Sequence, residues 1–62
     1  MKLDSAINIL KEEYSKNKTF DLTMVSDRLK FLVALTLVEQ SLNNGSLKES
    51  EYINQVTGAV AQ

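Results

Sequence analysis

The side chains that could carry out chemistry in this chain are carboxylates, and their spacing keeps them apart. Glu12 and Glu13 are adjacent, so on a helix they point about 100° apart and cannot converge on one substrate atom. Glu49 and Glu51 diverge further. The sequence contains no His and no Cys, which removes the usual general base, thiol nucleophiles and nearly every structural zinc site. We therefore predict a non-enzymatic protein with no catalytic residues, no cofactor and no metal.

Basic residues on both sides of one predicted loop suggest an alternative function, that of a small DNA-binding regulator. These residues are Lys16, Lys18, Arg28 and Lys30. The second and third predicted helices also have the outline of a helix-turn-helix. However, the third helix carries Glu49 and Glu51 against a single Lys48, so its N-terminal turn would repel phosphates. With a formal net charge of −1, the sequence predicts no nucleic-acid partner.

Length and composition indicate one folded domain covering residues 1–62. A chain that is 44% hydrophobic and nearly neutral does not have the composition of a disordered protein. A domain of this size buries only about 60% of the surface that its unfolded chain exposes, so a monomer is expected to be marginally stable. The longest apolar run, from Phe31 to Val38, is too short to span a membrane. Without a recognisable export signal, we expect no membrane partner and a cytoplasmic protein.

The first helix is predicted near residues 3–16. It has apolar residues at helical spacing, with polar residues between them. The apolar residues are Leu3, Ala6, Ile7, Leu10 and Tyr14. The segment that follows, 16–19, contains no apolar residue and is predicted to be a loop.

The second helix is predicted near residues 21–44, with Asp21 as its N-cap, a Phe20–Val25 contact at its start and Gly45 after its end. Two apolar stripes lie on roughly opposite sides of it, which is typical of a helix buried on two faces. One stripe is Leu22, Val25, Leu29, Leu32 and Val33; the other is Met24, Phe31, Leu35, Val38 and Leu42. A buried strand over 31–38 is the alternative, but few residues in this run are β-branched.

A third helix is predicted near residues 48–60, after the turn at Gly45. Ser46 with Glu49, and Lys48 with Glu51, have the spacing of capping boxes. Gly58 either ends this helix early or permits close packing against another backbone. The apolar stripe consists of Tyr52, Ile53, Val56 and Val60.

Residues 42–58 resemble two families of small modules. The run from Leu42 through Gly45 and Leu47 to Glu51-Tyr52 is similar to the SHOCT oligomerisation modules, in which a helix ending in Leu-x-x-Gly precedes an aliphatic residue and Glu-Glu-Phe or Glu-Glu-Tyr. The same segment, with Thr57-Gly58, resembles the end of small XkdX-type phage proteins. Both resemblances imply a helical hairpin used for assembly, in a phage or prophage protein.

Together these patterns predict an all-α protein of three helices, in which a long central helix, apolar on two faces, forms a homodimeric helical bundle. The Leu22–Leu32 stripe begins beside the first loop, so we expect it to pack within the chain. The expected interface is therefore the other stripe, comprising Phe31, Leu35, Val38 and Leu42. The predicted function is a protein–protein interaction module, an adaptor or inhibitor acting as a homodimer. The alternatives are a DNA-binding regulator and a minor structural component of a larger assembly.

Overall fold

A computed structural model of the chain describes residues 1–58 and contains three α-helices. Helix α1 is Leu3–Ser15, α2 is Val25–Asn43 and α3 is Glu49–Thr57. Between residues 1 and 58 there is no β-strand, so the predicted all-α class is confirmed and segment 31–38 is helical. The last part of the predicted third helix, residues 59–60, lies outside the described residues.

Helix α2 begins four residues later than predicted because Asp21 forms a turn instead of a helix cap. One carboxylate oxygen of Asp21 accepts hydrogen bonds from the backbone N–H and the hydroxyl of Thr23, at 2.9 and 2.7 Å. The N–H of Met24 donates to the carbonyl of Asp21, which closes the turn. The predicted contact between Phe20 and Val25 is wrong: Val25 is 60% exposed, and Phe20 stacks on Phe31 with ring centroids 5.9 Å apart.

Both glycines adopt the left-handed conformation that ends helices. Gly45 has φ +83° just after α2, as predicted, and Gly58 has φ +72° at the C-cap of α3. The predicted capping boxes are wrong, since the N-cap of α3, Lys48, makes no side-chain hydrogen bond to the helix. The N–H of Ser46 is instead bonded to the side-chain oxygen of Asn44, at 2.9 Å.

Helix α1, and not the long α2, is the central element in space. It packs against both α2 and α3, whereas α2 and α3 have few direct contacts with each other. The molecule is flat as a result, with extents of 35 × 26 × 13 Å. The prediction that the second helix is the central one is therefore wrong. Within residues 1–58 only one face of α2 packs against another helix, and burial of its other face by a second copy stays a prediction.

The core is small and is built around α1. Its buried apolar residues are Ala6, Ile7, Leu10, Ala34, Val38, Leu47 and Val56. Two of these, Ala6 in α1 and Ala34 in α2, are fully buried, and such small side chains allow two helices to approach closely. Tyr14, expected on the apolar stripe of α1, is 60% exposed. Because so few large side chains are buried, the monomer is expected to have a small free energy of unfolding.

Candidate protein-interaction surface

Several exposed apolar residues lie together on one side of α2, which we call the outer α2 face. It consists of Val25, Leu29, Leu32 and Val33, each 52–60% exposed. The spacing of these residues, i, i+4, i+7 and i+8, places them on one side of the helix. The buried residues of α2, Ala34, Val38 and Ser41, lie on the opposite side. This face thus points away from the core and has no partner within the described chain.

A shallow groove extends the outer α2 face towards the N-terminus of the chain. Its volume is about 350 Å³, and Met1 contributes to its lining. The groove is lined by Met1, Leu29, Leu32, Val33, Thr36, Leu37 and Gln40. Most of this lining is apolar, with Thr36 and Gln40 as the polar groups.

The structure places most of the predicted interface residues inside the chain. Val38 is 3% exposed and belongs to the core, and Phe31 and Leu42 are partly buried against it. Leu35 is the exception, at 41% exposed. The stripe expected to pack internally is exposed from Val25 to Val33, so the expected roles of the two faces of α2 are reversed within the chain.

The physical reason for this reversal is the size of two side chains between the apolar ones. Ala34 and Ser41, seven residues apart, lie on the same side of α2 as Val38, and all three are buried. Small residues at this spacing make a strip along which another helix can approach closely, and Ala6 supplies a small residue on α1. The prediction chose the internal face of α2 by the proximity of the Leu22–Leu32 stripe to the first loop, and this criterion was wrong. The spacing of Ala34 and Ser41 is the sequence pattern that marks the buried face.

A second cavity, of about 220 Å³, lies under the loop between α1 and α2, where the structure brings Glu12 and Asp27 together with Lys30. The sequence pattern did not predict this juxtaposition, because Glu12 lies fifteen residues or more from Asp27 and Lys30 in the chain. Both carboxylates are used to hold the loop: Glu12 accepts from the N–H and hydroxyl of Thr19, at 2.8 and 2.7 Å, and Asp27 accepts from the N–H of Asp21. These contacts indicate a structural role.

Hydrogen bonds to this loop and within it also lower the pKa of two carboxyl groups, Glu12 on α1 and Asp21 in the loop. The backbone N–H of Thr19, followed by its hydroxyl, lowers the pKa of Glu12. The hydroxyl of Thr23, followed by its backbone N–H, lowers the pKa of Asp21. Since a lowered pKa in the folded state favours the ionised form, both groups stabilise the fold above the ordinary carboxyl pKa, and this stabilisation is lost as the pH falls through the lowered value. A carboxylate of lowered pKa is also a weak general base.

Replacing Thr19 by Val tests this arrangement without changing the size of the side chain. We expect the pKa of Glu12 to rise part of the way towards its ordinary value, because the hydroxyl is lost while the backbone N–H remains. The measurement is a carboxyl titration by NMR. The control, Thr23→Val, is expected to raise the pKa of Asp21 and leave that of Glu12 unchanged. A Glu12 pKa that does not move in Thr19→Val would contradict the hydroxyl contact.

The basic residues near this loop are interleaved with acids. Lys18 forms a salt bridge with Glu13, at 2.8 Å, and its ammonium group lies 5.9 Å from the centre of the Phe20 ring. Lys30 shares the loop cavity with Glu12 and Asp27. Two of the four basic residues named from the sequence thus lie beside carboxylates.

No family model, no curated protein and no solved structure matches this chain. Within residues 1–58, no group of three or more His, Cys, Asp or Glu side chains is placed to hold a metal ion. None of the helices in that range has both the length and the hydropathy that a membrane span requires.

Proposed function

We propose that this chain is a small non-enzymatic protein–protein interaction module that acts as a homodimer through the outer α2 face. The observation that carries the proposal is the exposure of Val25, Leu29, Leu32 and Val33 on the side of the longest helix that faces away from the core. Soluble monomers rarely leave a large contiguous apolar patch uncovered.

The energetics favour a second copy as the occupant. Fully burying a Val or Leu side chain contributes about 1.5–3 kcal/mol, and the outer α2 face still exposes about half of each such side chain. In a homodimer both copies contribute the same residues, so their burial supplies about 6–12 kcal/mol. This amount is comparable to the roughly 4–15 kcal/mol that association costs in lost freedom of motion. A partner without an apolar face of its own would supply only half of it.

The role of such a dimer is that of a cytoplasmic adaptor or inhibitor, which acts by covering a surface of another protein. The SHOCT-like turn at Leu42–Tyr52 supports assembly as the function, and the XkdX-like segment supports an origin in a phage or mobile element. The mixed charges around Lys18 and Lys30 favour this role over that of a DNA-binding regulator.

Replacing Leu32 by Asp tests the homodimer directly. We expect the wild type to approach the dimer mass as its concentration rises in sedimentation experiments, and Leu32→Asp to stay monomeric. The new carboxylate would be buried without a partner in the dimer, whereas in the monomer it is exposed to water, so helix content by circular dichroism is retained.

The matched control is Ile53→Asp, which makes the same change of charge at an exposed apolar residue of α3. This variant is expected to dimerise like the wild type. A wild type that remains monomeric at the highest concentration would overturn the proposed homodimer. A Leu32→Asp variant that still dimerises would show that the copies meet through another surface.

A further inference from the structure

We infer that the two copies pair with their α2 helices antiparallel, so that Leu29 of one copy packs against Leu32 of the second copy. This inference rests on the proposed homodimer and specifies its geometry. It follows from the order of apolar and charged residues along the exposed side of α2, which differs between the two halves of the helix.

The exposed side of α2 has the spacing of a coiled-coil seam. Val25, Leu29, Leu32 and Thr36 follow one another at intervals of four, three and four residues, and all four are exposed. This alternation keeps a narrow stripe facing a neighbouring helix. The seam spans about 17 Å at the rise of an α-helix, which is enough for the knobs of two helices to interlock.

The next two positions of the same seam are Glu39 and Asn43, which are also exposed. The N-terminal half of the exposed side is therefore apolar and the C-terminal half is polar. In a parallel pair in register, Glu39 would lie against Glu39 of the second copy. Two like charges would then meet within the seam, which disfavours this orientation.

An antiparallel pair avoids this conflict when its two-fold axis passes between Lys30 and Phe31. Leu29 then packs against Leu32 of the second copy, and Val25 packs against Thr36. Glu39 projects beyond the first residue of the other α2, Val25, and stays in water.

The antiparallel register displaced by one heptad towards the C-terminus of α2 is disfavoured by the same charge. It would place Leu29 against Glu39 of the second copy and bury the carboxylate on an apolar residue. The register displaced by one heptad the other way keeps only Val25 and Leu29 of the seam within the overlap of the two helices. The register centred between Lys30 and Phe31 instead keeps all four exposed seam residues of both copies in the overlap and leaves Glu39 outside it. The opposed directions of the two helices also make their macrodipoles antiparallel, which is the favourable side-by-side arrangement.

A distance measurement between spin labels tests the orientation. The chain has no Cys, so Asn43→Cys provides a single attachment point in each copy, at an exposed position of α2. In the antiparallel dimer the two labelled residues are about 38 Å apart along the helix axis, calculated from 1.5 Å per residue. In a parallel dimer they are about 10 Å apart, the separation of two packed helices.

Ser26→Cys serves as the second label position, because it lies close to the two-fold axis. The two labels are expected about 14 Å apart along the axis in the antiparallel dimer and about 10 Å apart in a parallel one. This label therefore reports whether the outer α2 faces meet, whichever orientation they adopt. Sedimentation of each labelled variant gives the mass of the species measured.

The outcomes separate this inference from the proposed function. A long distance at Asn43→Cys with a short one at Ser26→Cys supports the antiparallel pair. Short distances at both positions overturn the antiparallel orientation and leave the homodimer in place. Long distances at both, in a species of dimer mass, show a dimer that uses another surface. Monomer mass with no dipolar signal at either position overturns the homodimer as well.

Discussion

Replacing Val38 by Asp is expected to leave the chain unfolded at neutral pH. Val38 is 3% exposed and lies in the core on the inner side of α2. A carboxylate buried there without a partner costs several kcal/mol, whereas the core of a chain this short supplies no more than about 3–5 kcal/mol of net stability. Far-UV circular dichroism should show loss of most of the helical signal, and thermal scans should show no cooperative transition.

The matched control is Leu35→Asp, on the same helix and in the same predicted interface set. Leu35 is 41% exposed, so its carboxylate can remain in water and the helical signal is expected to persist. If Val38→Asp instead folds and merely fails to dimerise, then Val38 lies at an intermolecular contact. The interface predicted from the sequence would then be right, and the inner and outer faces of α2 would exchange roles.

Replacing Leu10 by Ala is expected to remove most of the stability of the fold. Leu10 is 6% exposed on α1, the helix that packs against both α2 and α3, so a cavity at this position weakens the core that all three helices share. Truncation of a buried Leu costs about 2–5 kcal/mol, close to the whole net stability expected for this chain. Urea unfolding followed by circular dichroism should show a large decrease in the midpoint.

Tyr14→Ala is the control on the same helix, one turn further along. Because Tyr14 is 60% exposed, we expect the midpoint to change little, within about 0.5 kcal/mol in free energy of unfolding. Equal effects of Leu10→Ala and Tyr14→Ala would contradict the structure and would indicate that the apolar stripe of α1 packs along its whole length, as the sequence pattern predicted. Both variants should be compared at one protein concentration, because a dimer is further stabilised as concentration rises.

The sequence by itself determined the helices and where two of them end. The α1 pattern predicted a helix over 3–16, and the observed Leu3–Ser15 differs by one residue. Gly45 adopts φ +83° just after α2, as expected for the residue type that most easily takes a left-handed conformation. These features depend on residues that are close together in the chain. The local sequence around each feature is therefore sufficient to predict it.

The start of α2 and the caps of α3 are local features that the sequence did not determine. Asp21 could bond to a helix N-terminus or to the turn of Thr23, and both uses satisfy the same carboxylate. The turn lies in the loop between α1 and α2, which two further hydrogen bonds hold in place. Glu12 accepts from the N–H of Thr19, and Asp27 accepts from the N–H of Asp21. The choice therefore depends on side chains from two helices.

Only the tertiary structure decided which face of α2 lies in the core. The two apolar stripes have similar hydrophobicity, so transfer from water favours burying either of them. The shape of each side determines which one is buried. The side with Ala34 and Ser41 has small side chains, so α1, with Ala6 buried on it, can approach closely. The other side has the larger side chains of Leu29 and Leu32. Close packing depends on matched shapes from segments far apart in the chain, and a hydrophobic pattern read along one segment does not contain that information.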